Sequence, residues 1–148
     1  MIVIDTDIFA IYHIFKHDPR FEQSKQVLLS EVGEKKATTI YNLLELYGIC
    51  ATAGLPELAE KVLTTDQETV ELDILTPVFE EKISEIFFAM MVDSLTTIMK
   101  RGVRHGDAKI LWVAESSSAT CLITWNKRHF HEKTKLEVLT PEEYLSQE

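Results

Sequence analysis

A chain of 148 residues is long enough for one domain that hides about 70% of the surface its unfolded form exposes, and 45% apolar with 26% charged residues is the composition of an ordinary folded protein. The net charge of −9 argues against a general nucleic-acid coat protein, whose binding rests on Lys and Arg neutralising phosphates. It leaves room for an enzyme whose acidic pocket is neutralised by divalent cations. Cys50 and Cys121 lack CxxC spacing and read as buried free thiols, and His13, His17, His105, His129 and His131 form no zinc-ligand motif. The opening residues lack the basic stretch and cleavage site of a signal peptide, and their acids interrupt any membrane span, so the cytoplasm is the expected location.

In chain order, residues 1–5 read as a short buried strand, and Ile8, Phe9, Ile11, Tyr12 and Phe15 as a helix that stops before Asp18-Pro19. A second helix is expected over residues 21–32, closed by Gly33, then a strand over 37–40 and a helix over 41–53. Pro56 opens a helix over residues 57–63, and residues 69–75 alternate apolar and acidic side chains as a strand with one solvated face does. A long helix follows over 78–100, ending near Gly102, then a helix over 107–117, strands over 119–124 and 136–139, and a terminal helical turn over 141–145. Strands alternating with helices predict a mainly parallel sheet covered on both faces.

Four polar residues stand at strand ends or on helices inside apolar surroundings. Asp5 closes Ile2-Val3-Ile4, Glu45 is the only charge between Ile40 and Ala53, Asp107 opens an apolar helical segment, and Asn126 follows the strand candidate ending at Thr124. In open α/β sheets ligands gather outside the carboxyl ends of the strands, so these distant positions are expected to converge on one crevice. Plainer explanations stand beside this one: Asp5 and Asp107 as helix N-caps, Asp7 as a first-turn acid, Asn126 as a turn residue. Glu45 is the hardest to explain away, because Leu43, Leu44, Leu46, Tyr47 and Cys50 leave it little polar face; a metal, a basic residue or a water-filled crevice is expected beside it. Arg104 and His105 precede Asp107, while Lys127 and Arg128 follow Asn126. These cations either hold a nucleic-acid strand or are ordinary helix-end and loop charges.

Together these residues resemble a PIN domain, the nuclease fold of VapC-type toxins. The resemblance rests on IVIDTDIF, TTIYNLLELYG, GDAKILWVAES and LITWNKRHF in that order, and it spans nearly the whole chain. It implies a three-layer α/β/α fold with Asp5, Glu45 and Asp107 as ligands of Mg²⁺ or Mn²⁺, and Asn126 at the fourth acidic position with Thr124 supporting it. It implies metal-dependent hydrolysis of RNA, a cognate antitoxin and a homodimer. Two departures are visible: Asn126 stands where many members have Asp, and Asp7 where Asn, Ser or Thr is more common. The reading adopted is that the charge has moved, Asp7 restoring what Asn126 lacks. The apolar stretch holding Phe87, Phe88, Met90 and Met91 is either core or the lining of a dimer or antitoxin groove.

Two rivals remain. The acidic charge and Asn126 are compatible with a PIN-like subunit that binds without catalysing. The string IVIDTD is also similar to haloacid-dehalogenase-type phosphatases, but Phe9 replaces their Thr or Val, and their later motif needs an acid where Leu111 stands.

Overall fold

The computed structural model describes residues 1–30, 33–55, 57–58, 60–61, 71–78 and 84–147. Five strands, β1 (Ile2–Ile4), β2 (Lys36–Thr39), β3 (Asp73–Leu75), β4 (Cys121–Ile123) and β5 (Glu137–Leu139), form one sheet in the order β3-β2-β1-β4-β5. Every pairing is parallel, with Val3 opposite both Ala37 and Leu122, Thr38 opposite Ile74, and Leu122 opposite Val138. Apolar runs make the two central strands: Ile2, Val3 and Ile4 of β1 and Leu122 and Ile123 of β4 are wholly buried, as a parallel sheet covered on both faces requires.

Because successive side chains point to opposite faces, one strand feeds two cores. Ile2 and Ile4 of β1 and Ile123 of β4 pack with Ile8 and Phe9 of α1 (Thr6–His13), Val27 and Leu28 of α2 (Phe21–Leu29), Leu46 of α3 (Ile40–Thr52) and Tyr144 of α6 (Pro141–Leu145). Val3 and Leu122 face the other way, against Leu95 and Ile98 of α4 (Ser84–Met99) and Ala108, Leu111 and Ala114 of α5 (His105–Ser116). The result is the expected three-layer α/β/α arrangement. Among the described residues no helix is long and apolar enough to cross a membrane.

Several element boundaries differ from expectation for local reasons. Helix α1 ends at His13, because the Phe15 N–H reaches back to the Ala10 carbonyl and closes the helix, leaving Phe15 52% exposed. Helix α2 ends at Leu29, where the buried Lys36 ammonium on β2 donates to the carbonyls of Leu28 and Ser30; the expected extension over residues 31–32 lies outside the described residues. Helix α5 begins at His105, so Asp107 is its third residue and not its first; the N-cap is Arg104, with extended backbone and no side-chain cap. Of the strand expected over 69–75, Asp73–Leu75 forms and residues 69–70 lie outside the described residues; Val78 precedes α4 as non-helical chain. Glu57, Leu58, Glu60 and Lys61 are helical, and the rest of that expected helix is likewise outside. At the far end of α4, Gly102 takes φ 83, a left-handed turn that glycine adopts without strain and that leads directly into Val103 and Arg104.

Candidate active site

The chain leaves β1 toward one side of the sheet and returns to pair β4 on the other, so the strand order reverses at β1. A crevice opens outside the carboxyl ends of β1 and β4, where ligands gather in such sheets. Asp5 is the first residue beyond β1 and the N-cap of α1, so capping and a site role are combined in one side chain. It is 6% exposed. Its Oδ1 accepts from the Thr6 backbone N–H and from Asn42 Nδ2, both at 2.8 Å, and its Oδ2 accepts from the Thr124 hydroxyl at 2.7 Å.

Asn42 is itself locked. Thr39 and Asn42 form a capping box at the start of α3, with the Thr39 hydroxyl donating to Asn42 Oδ1 at 2.6 Å. That turns the Asn42 amide toward Asp5 and, at 3.1 Å, toward the Thr6 hydroxyl. Thr6 in turn donates to Glu45 Oε2 at 2.7 Å. Glu45 is exposed, because Leu44 and Tyr47 beside it are also exposed, at 59% and 39%, and do not enclose it. The apolar neighbours therefore do not account for it; the crevice does.

Asp7 lies one residue into α1 and points the same way. Its Oδ2 accepts from the backbone N–H groups of Trp125 at 3.0 Å and Asn126 at 3.1 Å and from Asn126 Nδ2 at 3.0 Å, and lies 3.2 Å from the Thr124 hydroxyl. Its Oδ1 is buried and has no hydrogen-bond partner. Burial and then the neighbouring Asp7 charge push the Asp5 carboxyl up to about 8 from an ordinary 3.8, against hydrogen bonds from Thr124 and Thr6. Burial pushes Asp7 up to about 6, opposed by Thr124, Trp125, Asn126 and the Arg20 charge. Across the crevice Asp107 is raised by burial, with His129, Arg104 and Lys133 opposing; its Oδ2 is 3.6 Å from His129 Nδ1.

The crevice is a cavity of about 600 Å³ whose walls include Asp5, Asp7, Glu45, Asp107 and Asn126 together with Arg20 and Arg104. Thr124 is wholly buried behind the two aspartates. Of the proposed strand-binding cations, Arg104 lines this cavity and Arg128 a neighbouring one. His105 is not among the lining residues, and Lys127 is 2.7 Å from Glu143 on α6. Sequence reasoning missed Asn42, Thr6 and Arg20. The Thr39-x-x-Asn42 spacing was a visible capping signal. Arg20 gave none: it is set over the Trp125 ring at 5.6 Å and held by Asp18 at 2.7 Å.

Among the described residues no three His, Cys, Asp or Glu side chains stand together as a ready-made coordination cage. The donor set is nonetheless made of hard oxygens, and Asp7, one of the lining residues, keeps a buried carboxylate oxygen without a partner in a site with more acids than cations to balance them. Such a set fits a small dication that keeps much of its water and takes one or two protein carboxylates plus a substrate phosphate.

The fold has counterparts among solved structures. VapBC2 of Rickettsia felis, solved with a DNA fragment from its promoter, is 20% identical with a TM-score of 0.61, over 95% of this chain and 98% of that one. VapC20 of Mycobacterium tuberculosis, a toxin that cleaves the sarcin–ricin loop, is 16% identical with a TM-score of 0.57, over 82% and 87%. VapBC-1 of nontypeable Haemophilus influenzae is 20% identical with a TM-score of 0.60, over 96% and 99%. No protein-family model matches the chain, and no curated protein does. The architecture is thus the PIN-like fold that the four motifs anticipate.

Proposed function

We propose that the crevice is the active site of a Mg²⁺- or Mn²⁺-dependent endoribonuclease that hydrolyses RNA phosphodiester bonds, and that the chain is the toxin half of a toxin–antitoxin pair acting in the cytoplasm. The observation that carries this reading is the meeting of Asp5, Glu45, Asp107 and Asn126, from four separate stretches of sequence, on one cavity at the switch point of a PIN-like sheet.

Asp5, Glu45 and Asp107 are the ligands in this reading, one or two of them directly and the remainder through the ion's water, with Asp7 and Asn126 supporting them. A dication bound there supplies Lewis-acid polarisation of the phosphoryl oxygen and a water acidic enough to attack near neutral pH. The protein's part is orientation. Thr124 and Asn42 fix both Asp5 oxygens, Thr6 aims Glu45, and Asn126 with two backbone N–H groups pins one Asp7 oxygen while the other stays buried and unpaired. Arg104 and Arg128 offer charge to the phosphates of the strand, with His105 and Lys127 more peripheral. Partner binding is supported by the first half of α4, where Ile86, Phe88, Met90 and Val92 are 44%, 62%, 55% and 43% exposed; a cognate antitoxin and a second copy of the chain are its proposed occupants. The solved relatives include toxin–antitoxin complexes. Leu111 is wholly buried in the core, which leaves the phosphatase alternative without its second acid.

The test is cleavage of an RNA panel with Mg²⁺, Mn²⁺ or chelator, run beside Asp5→Asn. Cutting by the unmutated chain alone, and only with metal, is the expected result. Metal binding without any cutting would instead favour a PIN-like subunit that has lost catalysis.

A further inference from the structure

A second cavity of about 360 Å³ adjoins the acidic crevice and has a different chemistry. Its walls are Gly102, Arg104, Asp107, Arg128, His129 and Lys133, so it shares Arg104, Asp107 and His129 with the crevice and continues it. In a chain of net charge −9, several cations elsewhere are answered by acids: Arg20 by Asp18, Lys35 by Asp73, Arg101 by Glu115 and Lys127 by Glu143. Arg104, Arg128 and Lys133 form no ion pair with any described residue, and Asp107 is the one acid among the lining residues.

The three cations are built in. Buried Val103 and Phe130, at 5% and 1% exposure, anchor the segments that carry Arg104 and Arg128 into the same core cluster. Glu132 at φ 63 turns the chain back after the short helix Lys127–His129, and Lys133 Nζ donates to the His129 carbonyl at 3.1 Å. Lys133 also comes within 3.9 Å of where a side chain at Gly102 would begin, so the two turns close on each other. The result is a cluster of three cations on the walls of one cavity, which adjoins the acidic crevice through Arg104, Asp107 and His129.

We propose that this cavity is a phosphate subsite, seating the backbone phosphate of the RNA strand next to the one attacked in the crevice. The inference rests on the ribonuclease reading and deepens it. An acidic crevice repels a polyanion, and a dication there neutralises only the scissile phosphate; the neighbouring phosphate needs its own cations. Forked guanidinium groups suit phosphate oxygens, and the shared wall puts the two phosphates side by side.

The probe is a labelled single-stranded RNA of about twelve nucleotides, a length within the usual span of single-strand sites, its binding to the full chain followed by anisotropy across a salt series, with no turnover needed. Arg128→Ala and Lys133→Ala are each expected to weaken binding about tenfold, as the removal of one charge-assisted hydrogen bond does. The slope of log affinity against log salt should fall by about 0.7 for each phosphate left without its cation. Arg128→Lys, which keeps the charge, should retain most of the affinity. A single neutral methylphosphonate walked along the RNA should weaken binding to the unmutated chain at one linkage, and that dip should vanish in Arg128→Ala. Unchanged affinity and salt slope in folded variants would overturn the subsite while RNA cleavage persisted, and would point to an acidic protein segment as occupant. Weakened binding in the variants of a chain that never cuts would keep the subsite and remove the nuclease. An unmutated chain that binds no RNA would remove both.

Discussion

Asp7 holds one carboxylate oxygen under several hydrogen bonds and the other under none. A buried acceptor without a partner is destabilising, and its persistence calls for a reason such as an ion. Its pairing with Asn126 also explains the two departures from the family pattern together. With the Asn126 amide 3.0 Å from Asp7 Oδ2, a carboxylate at 126 would face a carboxylate at 7, and both could not ionise readily. Asp7→Asn is therefore expected to lower metal affinity and cleavage on the order of 10–100-fold, and Asn126→Asp to lower activity through repulsion. The double exchange should recover much of that activity, a coupling that only contacting residues show. Metal titration and cleavage rates check this; a fully additive double variant, or an Asp7→Asn chain with unchanged metal binding and cutting, would take Asp7 out of the site. Asp5 and Asp107 were legible as crevice positions because a lone acid at a strand end or in an apolar segment stands out; Glu45 also reaches the crevice, but the enclosure expected from its apolar neighbours is absent, since it is exposed. Asn42 was not, since its reach to Asp5 depends on β1 pairing with β2, which no local pattern encodes.

Helix α3 carries the site through its first turn. Thr39 caps the helix, Asn42 answers Thr39, and the Asn42 amide then holds Asp5 and Thr6, which holds Glu45. Thr39→Ala should cost about 1 kcal/mol of stability from the missing cap. It should also lower kcat with little change in KM, because the ligands lose their orientation while the substrate keeps its own binding groups. Thermal unfolding beside steady-state cleavage measures both, and a destabilised variant with full kcat would separate the cap from the site. Strong patterns marked α3 and α6 well: an apolar run after Thr39, and Thr140-Pro141 with Glu143 as a capping box. The start of α5 was invisible because Arg104 caps with backbone alone, and the end of α1 was misplaced because Phe15 is an exposed aromatic that looks like core.

At the scale of the molecule, three raised carboxyls, Asp5, Asp7 and Asp107, inside a chain of net charge −9 link folding to pH. Between an ordinary 3.8 and about 8, the folded chain keeps a proton on Asp5 that the unfolded chain has released; Asp7 adds the same effect up to about 6. Their contribution is thus most favourable at the acid end and fades as pH rises through about 8. The melting temperature of the chelated chain should carry this downward component from about pH 4 to about pH 8, and Asp5→Asn should flatten it. Mn²⁺ should raise the melting temperature more at about pH 8 than at about pH 5, because the ligands must give up protons to bind. Identical pH slopes in both chains would refute the assignment to Asp5.

The pairing of Ile2 with Cys121 and Ile4 with Ile123 places the centre of the sheet between residues about 119 positions apart. Asp5 consequently meets Thr124, and Asp7 meets Asn126, only once the chain is present through residue 126. A chain that stops short of that point therefore holds separated acids and no assembled crevice, so the site cannot exist in any fragment that lacks β4.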